Sequence, residues 1–320
     1  MDALVNTQSK ITYIPLQTLS KAPKRSLLYD LFTKMPPPLT IQEIYQELKN
    51  SLVGPESEQE ARIILQHVLN LESQELISYA DNAITKSQCK KIYEIRDKRN
   101  TEKIPLAYLL EEAPFGHLRL FVNSDVLIPR PETELLVKLV LDEIKERKIH
   151  HPTILDLCTG SGCIAISLKT ALPAARIYAS DISKNALNVA GINAKRYNAE
   201  IEFVLGDYLD PFLGKTQSPI AIPVMHGKPP YFDVIVSNPP YVSADDYAKL
   251  EPELYHEPKH ALVGFPYKLI ARDIKPLLKP GGFFACEFGQ GQENQLSAIF
   301  PKAKFHKDLE GNFRFLISTL

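Results

Sequence analysis

Two clusters in this 320-residue chain combine residue types at spacings that chemistry can use. The first runs Asp156-Leu157-Cys158-Thr159-Gly160-Ser161-Gly162, between an apolar run and a helical one. Glycines in such a turn let the backbone approach a ligand closely, and the N-terminus of the following helix favours an anionic group. Asp181 closes the next apolar run, where a carboxylate can accept hydrogen bonds from both ribose hydroxyls. Together they predict a nucleoside-type cofactor. The strict GxGxxG fingerprint is absent, although Ala165, three beyond Gly162, would fit it. This turn alone leaves NAD and S-adenosylmethionine open.

The second cluster, Asn238-Pro239-Pro240-Tyr241, follows the β-branched run FDVIVS and so lies at the same edge. Two consecutive prolines fix the chain and remove two N–H donors, leaving carbonyls as acceptors beside the side-chain carbonyl of Asn238. A pair of acceptors can hold both hydrogens of an amide or aniline-like NH2 group. Such a nitrogen is a poor nucleophile because its lone pair is delocalised. Binding both hydrogens raises its electron density and aims it at an electrophilic methyl group. Tyr241 offers a flat face to a planar substrate group, or a cation–π contact to a methylsulfonium. This second cluster decides for S-adenosylmethionine.

Other chemically able residues carry less. Glu287, beside a strand end, is read as a structural carboxylate in preference to a site residue. Glu132 and Glu134 suit the positive end of a helix dipole and an interdomain role. No general base is needed, since the proton can leave to water after methyl transfer. His117 and His256 have no carboxylate or cysteine at ligand spacing, so no metal site is assigned.

The clusters need a scaffold, and the chain describes one. From residue 152 strand and helix patterns alternate: TILDL, CIAISLKTAL, RIYASD, SKNALNVAGINAKRY and IEFVLGD, then FDVIVS, KLIARDIKPLL and GGFFACEFG. Such alternation predicts an α/β fold, a mostly parallel sheet covered by helices, with ligands at the carboxyl ends of the strands. AKFHKDL and NFRFLIST close it as an antiparallel C-terminal strand pair around Glu310-Gly311-Asn312. Before the sheet, residues 131–144 form a helix opened by Pro131. Residues 104–130 are a β-hairpin linker, with HLRLFVNSDVLI turning at Asn123-Ser124-Asp125. Residues 39–103 form a small helical domain, which Thr40 and Glu43 begin as a capping box. Its third helix, about 86–99, is charged with mixed signs, the pattern of a solvated face. Residues 1–38 are a loosely ordered extension, and the proline-rich stretch 211–230 is a loop.

Composition excludes several classes. Net charge is −1 with 23% charged residues, which argues against a surface built to hold nucleic acid. At 44% hydrophobic the chain can bury a sizeable core, and no run approaches the ~18 apolar residues of a membrane span. The four cysteines make neither a disulfide scaffold nor a CxxC pair. MDALVNTQSKITYIPL lacks a secretory layout, so the expected location is cytoplasmic, without membrane or direct nucleic-acid contact.

With NPPY after the fourth strand, and with IPRPETELLV, ILDLCTGSGCIAISL and HEPKHAL, residues 40–320 resemble the HemK/PrmC family of protein-glutamine methyltransferases. The resemblance implies a Rossmann-like S-adenosylmethionine-dependent methyltransferase domain over 131–320. It implies methylation of the GGQ glutamine of peptide chain release factors, modulating translation termination, with the helical domain helping to embrace that substrate. It places the cofactor on Cys158, Thr159, Gly160, Ser161 and Gly162, with Asp181 on the ribose, Tyr208 beside the adenine, and Asn238 at the reacting end. Asn238, Pro239, Pro240 and Tyr241 would hold the substrate glutamine and catalyse transfer. Cys158 stands where the family usually has glycine, as in the sister family that methylates a glutamine of a large-subunit ribosomal protein. The block Pro129 to Glu134 and the segment DLEGNFRFL favour the release-factor enzymes. VGFPYKL replaces a usual glycine-rich stretch after HEPKHAL. The other readings are the ribosomal-protein enzyme, an adenine amino-methyltransferase acting on nucleic acid, and a binding module that kept the fold. The intact Asp181 and NPPY oppose the last.

Overall fold

The computed structural model describes residues 39–215 and 231–319. The extension 1–38 and all but the first residues of the 211–230 loop lie outside the described residues.

The helical N-terminal unit begins where the capping box predicts. Thr40 Oγ1 accepts the Glu43 N–H at 3.2 Å, and the Glu43 carboxylate accepts the Thr40 N–H at 2.8 Å. Helix α1 (Ile41–Ser51) presses Ile44 and Leu48 onto Ala61, Ile64 and Leu65 of α2 (Ser57–Leu69). A short α3 (Ser73–Ser78) precedes α4 (Lys86–Thr101), which Thr85 and Gln88 cap in the same reciprocal way. Ile92 and Ile95 of α4 join the same core, and α5 (Leu106–Leu110) closes it with Leu110. Each such aliphatic side chain, fully buried, contributes about 1.5–3 kcal/mol.

The hairpin differs from expectation. Its strands are β1 (Ala113–Phe115) and β2 (Leu118–Leu120), joined at Gly116-His117, not at Asn123-Ser124-Asp125. Gly116 adopts φ +56°, which a tight reversal requires, and both strands alternate buried and exposed residues. Asn123 instead closes a local turn, its Oδ1 accepting the Asp125 N–H at 3.0 Å. The chain then runs irregularly into α6 (Pro131–Glu146), with Pro131 as its first residue.

The sheet follows: β3 (Thr153–Leu157), α7 (Cys163–Ala171), β4 (Arg176–Asp181), α8 (Lys184–Arg196), β5 (Ile201–Leu205) and β6 (Phe232–Ser237). Then come α9 (Ala244–Tyr247), α10 (Lys259–Leu262), α11 (Tyr267–Asp273), β7 (Leu278–Glu287), α12 (Glu293–Ile299), β8 (Lys304–Lys307) and β9 (Phe313–Ser318). Strand order is β5-β4-β3-β6-β7-β9-β8; the first five are parallel, and β9 is antiparallel to both its neighbours. Alternate strand residues serve the two faces. Ile154, Ile177, Val234 and Phe283 pack on α6 and α7, while Leu155, Tyr178, Ile235 and Phe284 pack on α11 and α12. This is a Rossmann-like doubly wound sheet. Its order reverses between β3 and β6, and a ligand crevice forms at the carboxyl ends on either side of such a reversal.

A buried charge joins the helical unit to the sheet. Arg99 of α4, 8% exposed, makes paired hydrogen bonds to Glu60 and a 2.6 Å bond to Glu253 in the 3₁₀ turn Pro252–His256. His256 Nε2 lies 2.8 Å from the Glu102 carbonyl oxygen, which puts a proton on that nitrogen.

Candidate active site

The crevice is a cavity of about 340 Å³, within the range of small-ligand sites. Its floor is the turn after β3. Asp156, fully buried, accepts from Thr159 Oγ1 at 2.6 Å and from the Ala165 N–H at 3.1 Å. Burial pushes its carboxyl up to about 7, against the pull of those two bonds. Cys158 takes φ +64°, the left-handed conformation that glycine adopts without strain. Asp181, at the end of β4, grips two backbones: Oδ2 accepts the Gly160 N–H and Oδ1 the Ser183 N–H, both at 2.9 Å. Burial raises its carboxyl, and these bonds oppose the rise. A carboxylate offers about four lone-pair sites, which leaves capacity for a ligand hydroxyl beside these backbone bonds.

Seven residues expected on the cofactor line this cavity: Cys158, Thr159, Gly160, Ser161, Asp181, Tyr208 and Asn238. Gly162 is not among its lining residues. A Cβ there would stand 3.1 Å from Ile166 Cδ1 and 3.2 Å from Ala190 Cβ, so its lack of a side chain lets α7 and α8 pack.

Past β6 the NPPY turn divides between two hollows. Asn238 and Pro240 line the first cavity, while Asn238, Pro239 and Tyr241 line a second, smaller one beside it. Asn238 therefore stands in the wall the two share, with Leu127, Arg130 and Ala261. The Tyr241 hydroxyl donates inward to Glu287 Oε1 at 3.2 Å, so it is the ring that faces the second hollow. Burial raises the Tyr241 phenol well above its usual range.

The segment after HEPKHAL, whose role the sequence does not indicate, holds this turn in place. Val242 donates to the carbonyl of Leu262, the last residue of HEPKHAL, at 2.9 Å, and Gly264 just beyond donates to the Val242 carbonyl at 3.1 Å. A Cβ on Gly264 would meet Pro240 Cγ at 2.9 Å and the Pro240 carbonyl oxygen at 3.3 Å. Gly264→Ala is therefore expected to shift Pro240 and slow turnover about tenfold, since sub-ångström misplacement at a reacting centre is costly. Single-turnover rates beside cofactor titrations check it: affinity should stay close to wild type while the rate falls.

Several lining residues escaped the sequence. Asp125 to Arg130 supply one wall from irregular chain that follows the hairpin. Arg130 Nη2 reaches Glu257 Oε1 at 2.6 Å, and the Ile128 N–H reaches Glu257 Oε2 at 3.4 Å. Burial raises the Glu257 carboxyl, with Arg130 as the main opposing pull. The PRPETE and HEPKHAL segments are thus parts of one wall, a pairing only the fold displays. Asp207 and His260 also line the cavity. Glu132, Glu134, His117 and His256 do not, and no group of three metal-ligating side chains occurs among the described residues.

Two family models match: the methyltransferase small domain over residues 132–263 and the PrmC N-terminal domain over residues 40–110. Similar curated proteins include the release factor glutamine methyltransferase of Bacillus cereus, 34% identical over 79% of this chain and 87% of its own length. The protein of that name from Thermodesulfovibrio yellowstonii is 36% identical, over 81% of this chain and 91% of its own. That from Leptospira interrogans is 35% identical, over 88% and 97%.

Proposed function

The chain belongs to the release factor glutamine methyltransferase family, and from that premise we propose that it transfers a methyl group from S-adenosylmethionine to the side-chain amide nitrogen of the GGQ glutamine in peptide chain release factors. The observation that carries the reading is the shared wall at Asn238, where a cavity for a methyl donor meets a hollow for a planar amide.

The first cavity suits that cofactor. Asp125, Asp181 and Asp207 give it three carboxylates against Arg130 and His260, a lining that favours a ligand of net positive charge over a pyrophosphate. Asp181 would take the ribose hydroxyls and Tyr208 would lie beside the base. Thr159, Gly160 and Ser161, leading into α7, would hold the amino-acid end. When bound, S-adenosylmethionine supplies an electrophilic methyl group on a sulfonium.

The protein's own part is positioning. Asn238 Oδ1 and the carbonyls of Asn238 and Pro239 are available acceptors, since no hydrogen bond from the described residues reaches either carbonyl. They would take both hydrogens of the glutamine NH2 and turn its nitrogen toward the donor cavity. The Tyr241 ring, fixed by its hydroxyl, would flank the amide plane. With the nitrogen so held, methyl transfer from the sulfonium would leave the surplus amide proton to pass to water. Rate enhancement comes from approach geometry and fixed dipoles.

The test is methyl transfer from labelled S-adenosylmethionine to a bacterial-type release factor, to its variant with alanine for the GGQ glutamine, and to the large-subunit ribosomal protein. Label on the wild-type release factor alone is expected. Label only on the ribosomal protein would move the chain to the sister family, and label on neither would sink the protein-glutamine reading.

A further inference from the structure

Asn238 serves the proposed reaction only if its amide presents oxygen, not NH2, to the substrate. An asparagine side chain is nearly symmetric in shape, so something must choose between its two orientations. The structure holds a device for this choice, assembled from three distant parts of the chain. Asn238 Nδ2 donates to Thr133 Oγ1 at 3.0 Å, and Thr133 Oγ1 donates to Glu287 Oε2 at 2.7 Å. The other oxygen of Glu287 accepts the Tyr241 hydroxyl at 3.2 Å. Thr133 and Glu287 are each 1% exposed, so water cannot substitute for either.

We propose that Thr133 and Glu287 are positioning residues that fix the polarity of the Asn238 amide and anchor the Tyr241 ring, so that the glutamine NH2 meets an acceptor. This deepens the function proposed above and rests on it.

The logic is directional. An ionised carboxylate only accepts, so it commits the single hydroxyl hydrogen of Thr133 to itself. Thr133 Oγ1 then has only lone pairs left for Asn238, which must offer its NH2 and leave Oδ1 toward the two hollows. The same carboxylate takes the Tyr241 hydroxyl hydrogen, so one group sets both the acceptor and the ring beside it. If Glu287 is protonated, its O–H can donate to Thr133, whose own hydrogen turns toward Asn238. The amide can then reverse and set NH2 against NH2. Glu287 lines neither hollow; Thr133 lines the first cavity, and in this scheme it acts only through Asn238.

Titration of Glu287 supports the idea. Burial pushes its carboxyl up to about 7, against the Thr133 and Tyr241 hydroxyls and the Arg314 guanidinium on β9, while Glu132 on α6 pushes the same way as burial. Cys163 on α7, Cys286 beside it on β7, and Tyr267 on α11, whose hydroxyl bonds the Glu287 carbonyl at 3.0 Å, are further ionisable neighbours among the described residues. Turnover should therefore fall as pH drops through about 7, because the protonated acid no longer dictates the direction of the Thr133 hydrogen.

The experiment compares Thr133→Val, Thr133→Ser and Glu287→Gln with wild type. Thr133→Val keeps shape and removes the hydroxyl; it should lower kcat about 10- to 100-fold, the range that a buried group left without its partner costs. Thr133→Ser restores the hydroxyl and should restore most of the rate. Glu287→Gln, which both donates and accepts, should lower kcat at pH 8 and flatten the acid limb. Cofactor affinity should hold in Glu287→Gln, which lines neither hollow, and in Thr133→Ser, which keeps the hydroxyl at the first cavity. The Asn238 side-chain NH2 resonances, followed with labelled asparagine, should shift and exchange faster in Thr133→Val. Wild-type turnover tests the earlier reading, and the ratios and resonances test this one. An unmoved NH2 signal in Thr133→Val overturns the inference whatever the substrate turns out to be. So does an unchanged kcat at pH 8 in Glu287→Gln.

Discussion

Replacing Asn238 with alanine is expected to lower methyl transfer about 10²- to 10³-fold, the loss seen when one preorganised hydrogen-bonding group is taken from a reacting centre. The side chain stands in the wall between the two hollows. What it loses is an acceptor for the substrate amide, while Asp181, Tyr208 and the turn after β3 remain. The rate should fall in kcat and in kcat/KM by similar factors, the signature of a contact made in the transition state. Calorimetric titration with cofactor should give nearly wild-type affinity. A loss of affinity matching the loss of rate would instead make Asn238 a cofactor residue and leave the amide without its proposed holder.

The largest expected effect on stability lies elsewhere, at Arg99. Its guanidinium binds Glu60 through paired bonds inside the helical unit and crosses to Glu253 near the HEPKHAL segment. Arg99→Ala strands the Glu60 carboxylate, itself 9% exposed, and breaking such a buried pair costs about 3 kcal/mol or more. Glu253 is the lesser casualty, because its side chain is 40% exposed and water can solvate it. Chemical denaturation should show this loss. The double variant Arg99→Leu with Glu60→Leu should recover most of it, since an apolar pair of similar volume removes both charges together. If the double variant is as unstable as the single one, packing of the arginine stem rather than its charge holds the units together.

Much of the scaffold was legible because its signals are local. The capping box at Thr40 and Glu43, the helix opened by Pro131 and the alternation of apolar strands with helices each depend on residues a few positions apart. So do the two chemical turns, since each follows directly from a strand. The hairpin was misplaced because Asn123-Ser124-Asp125 carries stronger turn chemistry than Gly116-His117, yet only the latter lies between two runs that can pair Phe115 with Leu118. The wall from Asp125 to Arg130 went unread because irregular chain has no period to detect. Glu287 was read as structural in preference to a site residue. It touches no cavity, but its bond to Thr133 spans 154 residues, and no spacing rule connects two positions that far apart. Local chemistry shows in sequence, whereas support for that chemistry is a property of the folded sheet.

The position of β9 decides how the open edge of β7 is covered. The strand lies between β7 and β8, although both precede it in the chain. As the polypeptide emerges, β7 offers one open edge, and β8 cannot cover it without leaving a strand-wide gap. The site-bearing strands β3, β4 and β6 can pair earlier, but Glu287 at the end of β7 waits for Phe315 opposite it. Residues 304–318 form a β8–β9 hairpin closed near Gly311, so both strands can reach the β7 edge together. Until then a growing chain carries an exposed apolar edge, the feature that draws unfinished chains into aggregates.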